Sequence, residues 1–90
     1  MIVVKKFYAV WCSPCRTLAP IFKEVASLIS RKDVKFEEID VDTSVAEAEH
    51  YKVKSVPTIV VIKDGFVVDR VVGLISRDAL FNIVNKHIPL

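Results

Sequence analysis

Two cysteines stand three residues apart in the run Trp11-Cys12-Ser13-Pro14-Cys15, and the chain has no others. Thiols at that spacing either exchange electrons by closing and opening a disulfide or supply half of a tetrahedral zinc site. A bridge between them would close a loop of only a few residues and constrain little of the unfolded chain, so its value lies in chemistry rather than stability. Zinc needs two more ligands. Beyond carboxylates the chain offers only His50 and His87, far apart in sequence and on different expected helices, which is poor ligand spacing. A third reading, two small buried apolar residues, is weakened by where Cys12 falls in the expected fold.

The elements that would position these thiols follow from hydrophobic period and punctuation. Ile2 to Val10 (IVVKKFYAV) is rich in β-branched and aromatic residues and predicts a largely buried strand. Pro14 suits the first turn of a helix, where its missing N–H is no loss. Leu18, Ile21, Phe22, Val25, Leu28 and Ile29 then recur at helical spacing up to about Arg31, with Pro20 inside the helix as a kink. Cys12 thus falls at a strand-to-helix junction, where free N–H groups and the helix dipole favour negative charge, the setting of a nucleophilic thiol. Cys15, one turn on, faces the same side and is placed to attack a mixed disulfide on Cys12. Pro14 stiffens the turn between them and Trp11 gives the site an apolar wall.

Further along, Val34 to Val41 predicts a second strand. Asp42-Thr43-Ser44 offers caps for a short helix over Val45 to Tyr51. Thr58 to Lys63 and Phe66 to Val72 predict strands joined by Asp64-Gly65, a strong hairpin signal. Ser76 can cap a last helix with Leu80, Ile83, Val84 and Ile88 on one face. The order β-α-β-α-β-β-α predicts an α/β fold: a parallel pair joined by a crossover, then an antiparallel hairpin, in one mixed sheet covered by helices.

Composition agrees. Ninety residues, 52% hydrophobic and 27% charged, suit one folded domain over 1–90 and exclude intrinsic disorder. Thirteen basic against eleven acidic residues leave a net charge of +2, too small to argue for nucleic acid or an anionic membrane surface. No apolar run is long enough to span a membrane, and the order of charge and apolar residues after Met1 is wrong for a secretory signal. The expectation is a cytoplasmic protein. His50 and His87 read as helix-face residues without partners, Glu47, Glu49, Lys52 and Lys54 as a solvated face, Arg16 as a solvated residue adding positive potential near Cys12, and Tyr8 as packing.

The run from Trp11 to Cys15 after a buried strand resembles the active site of the thioredoxin family, whose usual form has Gly in place of Ser13. Ala19-Pro20, Asp40-Val41-Asp42, Val56-Pro57-Thr58, Asp64-Gly65 and Gly73 also resemble family motifs and fall in the family's order. The resemblance implies a thioredoxin-like fold with a mixed four-stranded sheet and three helices, lacking the N-terminal strand and helix of full-length thioredoxins. It implies a protein-disulfide reductase in which Cys12 is the nucleophile and Cys15 the resolving thiol, with no bound cofactor or metal beyond the Cys12–Cys15 disulfide. It implies disulfide-bearing substrate proteins and a thioredoxin reductase as partners, and a monomer. By the same resemblance Val56–Pro57 is a cis peptide, where the residues alone read as a turn proline at a strand edge. Trp11, Val56, Pro57, Gly73 and Leu74 would then form a docking surface.

One departure is chemical. Lys6 stands where the family has a buried Asp, and Glu38 where it has that residue's Lys partner. The pair reads as charge-swapped, with Glu38 taking over proton transfer to and from Cys15; the plainer alternative is two unrelated surface charges. Other readings are an oxidase or isomerase, which the absence of His between the cysteines opposes, a glutaredoxin, which Trp11 opposes, and a non-catalytic thioredoxin-fold binding module.

Overall fold

The computed structural model describes residues 1–89. Along it run β1 (Ile2–Tyr8), α1 (Ser13–Leu28), β2 (Val34–Asp40), α2 (Val45–His50), β3 (Thr58–Lys63), β4 (Phe66–Val72) and α3 (Arg77–Asn85), in the expected order. Several ends are shorter than the periodicity suggested: β2 stops at Asp40 rather than Val41, α2 at His50 rather than Tyr51, and α3 at Asn85, short of Ile88. β1 stops at Tyr8 because Ala9 to Trp11 turn, with the Cys12 N–H reaching the Ala9 carbonyl at 3.2 Å. α1 stops at Leu28, where Ile29 is the C-cap and its N–H closes on the Val25 carbonyl at 2.9 Å.

The four strands lie in the order β2-β1-β3-β4. β1 pairs parallel with β2 across the α1 crossover and antiparallel with β3, which pairs antiparallel with β4. The β3–β4 turn has positive φ at Asp64 (52°) and Gly65 (88°), the signature of the tight hairpin that Asp-Gly predicts.

Alternation along the strands divides the core in two. Ile2, Val4, Ile59 and Val61 face α1 and α3 and pack on Leu18, Phe22, Val25, Leu80 and Val84. Phe7, Ile39, Val60 and Ile62 face the other way, onto Ala48 of α2 with Tyr51 and Val53. Ala9, Cys12 and Cys15 form a small third cluster at the C-terminal end of β1, against Tyr8, Val41 and Val56. The sheet thus carries the two thiols at the mouth between β1 and α1.

Three local readings need correction. Ser44 is the N-cap of α2 but its side chain makes no capping bond; Asp40 Oδ1 instead accepts the Asp42 N–H at 2.9 Å and shapes the entry. Glu47 is not merely solvated, because it bonds Lys5 Nζ, which also lies 3.4 Å from Glu37. Burial works against the Lys5 charge, but the bond to Glu47 and the nearby acidic groups outweigh it and raise the Lys5 pKa. His87 has a partner too: its Nε2 lies 3.1 Å from Asp69 Oδ2, which Lys86 Nζ approaches at 3.0 Å, tying the end of α3 to β4. Ser76 does cap α3, accepting the Ala79 N–H at 3.2 Å.

Candidate active site

Cys12 is the N-cap of α1, with Pro14 in the first turn. Its Sγ accepts the Cys15 N–H at 3.3 Å, so one of the orphan donors of the helix start is spent on sulfur. The Cys12 thiol in turn points its S–H at the Val56 carbonyl, 3.6 Å away. Both cysteines are free thiols and nearly buried, Cys12 5% and Cys15 3% exposed. Burial, then the hydrogen bond with Cys12, pushes the Cys15 thiol above its ordinary pKa; the Ala9 backbone and the Lys6 charge act in the opposite direction. A dithiol poised this way keeps its inner thiol protonated until a base or a disulfide partner draws the proton off.

Around the sulfurs the chain supplies an apolar rim. Trp11 is 67% exposed, and its indole N–H donates to Asp42 Oδ2 at 2.9 Å, which holds the ring beside the thiols. The Val56–Pro57 peptide is cis. Gly73, at φ 97°, sends its N–H to the Pro57 carbonyl at 2.8 Å, so Gly73 and the half-exposed Leu74 stand next to the proline loop. Ser13 and Pro14 lie exposed on the turn between the cysteines. The fold therefore gathers Trp11, Cys12, Cys15, Val56, Pro57, Gly73 and Leu74 at one end of the sheet.

Behind Cys15 lies the ion pair. Lys6 is 2% exposed, and the parallel register sets it directly opposite Glu38, so both side chains leave the same face of the sheet. Lys6 Nζ reaches Glu38 Oε1 at 2.6 Å. The rings of Tyr8 and Phe22 flank the ammonium, each centroid 5.3 Å from Nζ, a cation–π setting that supplements the carboxylate. Lys6, Glu38, Tyr8, Arg16 and Cys15 all line one cavity of about 320 Å³ between β1, β2 and α1.

Three participants escaped the sequence reading. Asp42, read as a helix-cap candidate and as part of a family-like Asp-Val-Asp run, lies in the turn after β2 and accepts the Trp11 indole N–H instead. Tyr8, read as packing, is also a wall for the Lys6 charge. Lys54, read as solvated, lines a second cavity of about 150 Å³ with Trp11, Val41, Val53, Ser55 and Val56. No group of three or more His, Cys, Asp or Glu side chains among the described residues is arranged to hold a metal ion, and no described helix is long and apolar enough to cross a membrane.

Residues 1–86 match the family model described as Thioredoxin. The chain is 40% identical over 86 residues to a thioredoxin of Chlamydia caviae, covering 96% of this chain and 82% of that one. It is 41% identical over 87 residues to the thioredoxin of Bacillus subtilis, covering 97% and 83%. Among solved structures, a point mutant of the thioredoxin of Halobacterium salinarum superposes with a TM-score of 0.85 at 40% identity, over 99% of this chain and 76% of that one. A malaria-parasite thioredoxin-2 superposes at 0.90 with 24% identity, over 97% and 84%, a likeness of fold alone.

Proposed function

The chain belongs to the thioredoxin family and is a thiol-disulfide oxidoreductase, and we propose that it works as one domain in the reducing direction, with Cys12 attacking and Cys15 resolving. The family's chemistry runs on its cysteines and needs no further cofactor. Cys12 as thiolate attacks one sulfur of a substrate disulfide; that S–S bond breaks and the other substrate sulfur leaves as a thiolate that takes up a proton. Cys15 then loses its proton and attacks Cys12 Sγ, the mixed disulfide breaks, and the substrate departs with two thiols. Two electrons have passed, and a Cys12–Cys15 disulfide remains for a thioredoxin reductase to reduce.

The observation that carries this reading is Cys12 Sγ at the N-cap of α1, accepting the Cys15 N–H at 3.3 Å. That hydrogen bond brings a free N–H of the helix start onto the sulfur and sets the resolving residue one turn away. Trp11, Val56, Pro57, Gly73 and Leu74 supply the docking surface, with the Val56 backbone available to an extended segment. Ser13 and Pro14 fix the spacing of the thiols.

The proton of Cys15 needs an acceptor, since burial holds it on sulfur. Glu38 fills that role, reached through the cavity it shares with Cys15, which is roomy enough for several waters at ~30 Å³ each. Lys6 holds the carboxylate in place from inside, as a positioning residue. Glu38→Gln is expected to slow the resolving step and leave the first attack unchanged. An unchanged resolving rate over the whole pH range would sink this assignment.

Trapping tests the division of labour between the thiols. The Cys15→Ser variant, mixed with a disulfide-bonded protein, should accumulate a stable mixed disulfide on Cys12, and the Cys12→Ser variant should accumulate none. Equal trapping by both variants would refute the assignment of nucleophile and resolving thiol.

A further inference from the structure

We propose that the small cavity under Trp11 selects substrates, accepting an aliphatic side chain that flanks the disulfide and favouring a carboxylate beside it through Lys54. The inference rests on the reductase reading above and names the substrate class for that site. Its first support is size. The cavity of about 150 Å³ is walled by Trp11, Val41, Val53 and Val56, and an apolar cavity of that size holds a guest about as large as one benzene ring. A leucine side chain has that bulk. The second support is place. Val56 is both a wall of this cavity and the residue whose carbonyl receives the Cys12 S–H. A segment whose sulfur sits on Cys12 therefore has its neighbouring side chains within reach of the cavity, since an extended chain advances only about 3.3 Å per residue.

The third support is charge. Lys54 is the only charged residue lining the cavity, it is exposed, and it forms no ion pair among the described residues. Neither Asp42, whose carboxylate accepts the Trp11 N–H, nor Arg16, whose guanidinium donates to the Val10 carbonyl at 2.9 Å and which lines the other cavity, is among the lining residues. The charge at the wall of the cavity is that of Lys54, so a carboxylate next to the buried aliphatic side chain gains there and an ammonium loses.

The test uses the full chain in single turnover. Disulfide-linked dimers of short Gly-rich peptides carry one Cys and one Leu two residues away, with Asp or Lys beside the Leu. Two series place the Leu before or after the Cys. Oxidation of the reduced protein is followed by the fluorescence of Trp11, the only tryptophan in the chain. In at least one series the Asp peptide should react about threefold to fivefold faster than the Lys peptide at low ionic strength, the effect of one solvent-exposed ion pair. The ratio should fall toward one in 1 M salt. Lys54→Glu should invert it. Lys35→Glu changes the net charge equally but sits beside Val3, at the other end of β1, and should leave the ratio as it was. Replacing the Leu by Gly should slow every peptide that shows the preference.

Equal rates for Asp and Lys peptides in both series would overturn the inference, as would inversion by Lys35→Glu, which would mean general charge steering. In both cases the peptides are still reduced and the reductase reading stands. Reduction of none of them would remove that reading, and this inference with it.

Discussion

Truncating Glu38 to alanine would strip from Lys6 Nζ the one carboxylate that contacts it among the described residues, and the cost can be worked from the two exposures. Lys6 is 2% exposed and the Glu38 side chain 39%. A pair wholly in solvent contributes about 0.2–1 kcal/mol, whereas an uncompensated buried charge costs about 3–5 kcal/mol. With the cation inside, the carboxylate at the surface and two aromatic rings still flanking the ammonium, Glu38→Ala should destabilise by about 2 kcal/mol. For a domain of this size that is a fall of roughly 8–16 °C in melting temperature. Lys6→Met should behave differently. Methionine keeps much of the volume and removes the buried charge, and the Glu38 it leaves behind is already partly in water, so the change should stay within about 1 kcal/mol. The surface partner is thus the more costly one to remove. Thermal or urea unfolding of the reduced protein, followed by circular dichroism, measures both variants and their combination. In the double variant the Glu38→Ala penalty should vanish, giving a coupling of about 2 kcal/mol. If Glu38→Ala melts within a few degrees of the parent, or Lys6→Met is the more damaging of the two, the reasoning fails.

Asp69 has its pKa lowered, first by the hydrogen bond with His87, with burial opposing and Lys86 assisting. A depressed carboxyl contributes stability that is present above its unfolded pKa of about 3.9 and is lost as pH falls through the folded value. The advantage of the parent over Asp69→Asn, about 1 kcal/mol at pH 6, should therefore shrink between about pH 4.5 and pH 2.5 in urea titrations; an advantage that grows on acidification would contradict the pairing. Gly65 has φ +88° with nothing within 4 Å of the position of a Cβ, so Gly65→Ala should cost about 1–2 kcal/mol from backbone strain alone. A neutral melting curve would show that the turn can relax. Asp42→Ala releases the Trp11 indole and should raise KM for a protein disulfide a few-fold while shifting the melting temperature by less than about 4 °C. A comparable loss in kcat with KM unchanged would place Asp42 in the chemistry rather than in docking.

How much of this was legible in the sequence depended on the reach of each interaction. The thiol spacing, Pro14, the Asp-Gly hairpin and the Ser76 cap are local, and each is found where its residue types demand. The Lys6–Glu38 contact is distant in sequence but follows from strand register, which alternation largely fixes once the strands are placed. Lys5 with Glu47, His87 with Asp69 and Trp11 with Asp42 were not legible, because each joins separate elements through side-chain reach that no periodicity encodes. The run FVVDRVV is as apolar as β3 and reads equally as a strand, yet Phe66 is 75% and Val72 64% exposed, β4 being an edge of the sheet. Composition says that a strand is apolar, and strand order decides whether it is covered.

The reduction potential of the Cys12–Cys15 couple bears most directly on the central claim, that this dithiol gives electrons to protein disulfides. The protein is equilibrated with thiol–disulfide buffers of known poise and its redox state read from Trp11 fluorescence. A value near about −270 mV is predicted, in the range of reducing thioredoxins. A value between about −180 and −120 mV would mean that the protein gives disulfides rather than electrons, and the proposed direction would be wrong.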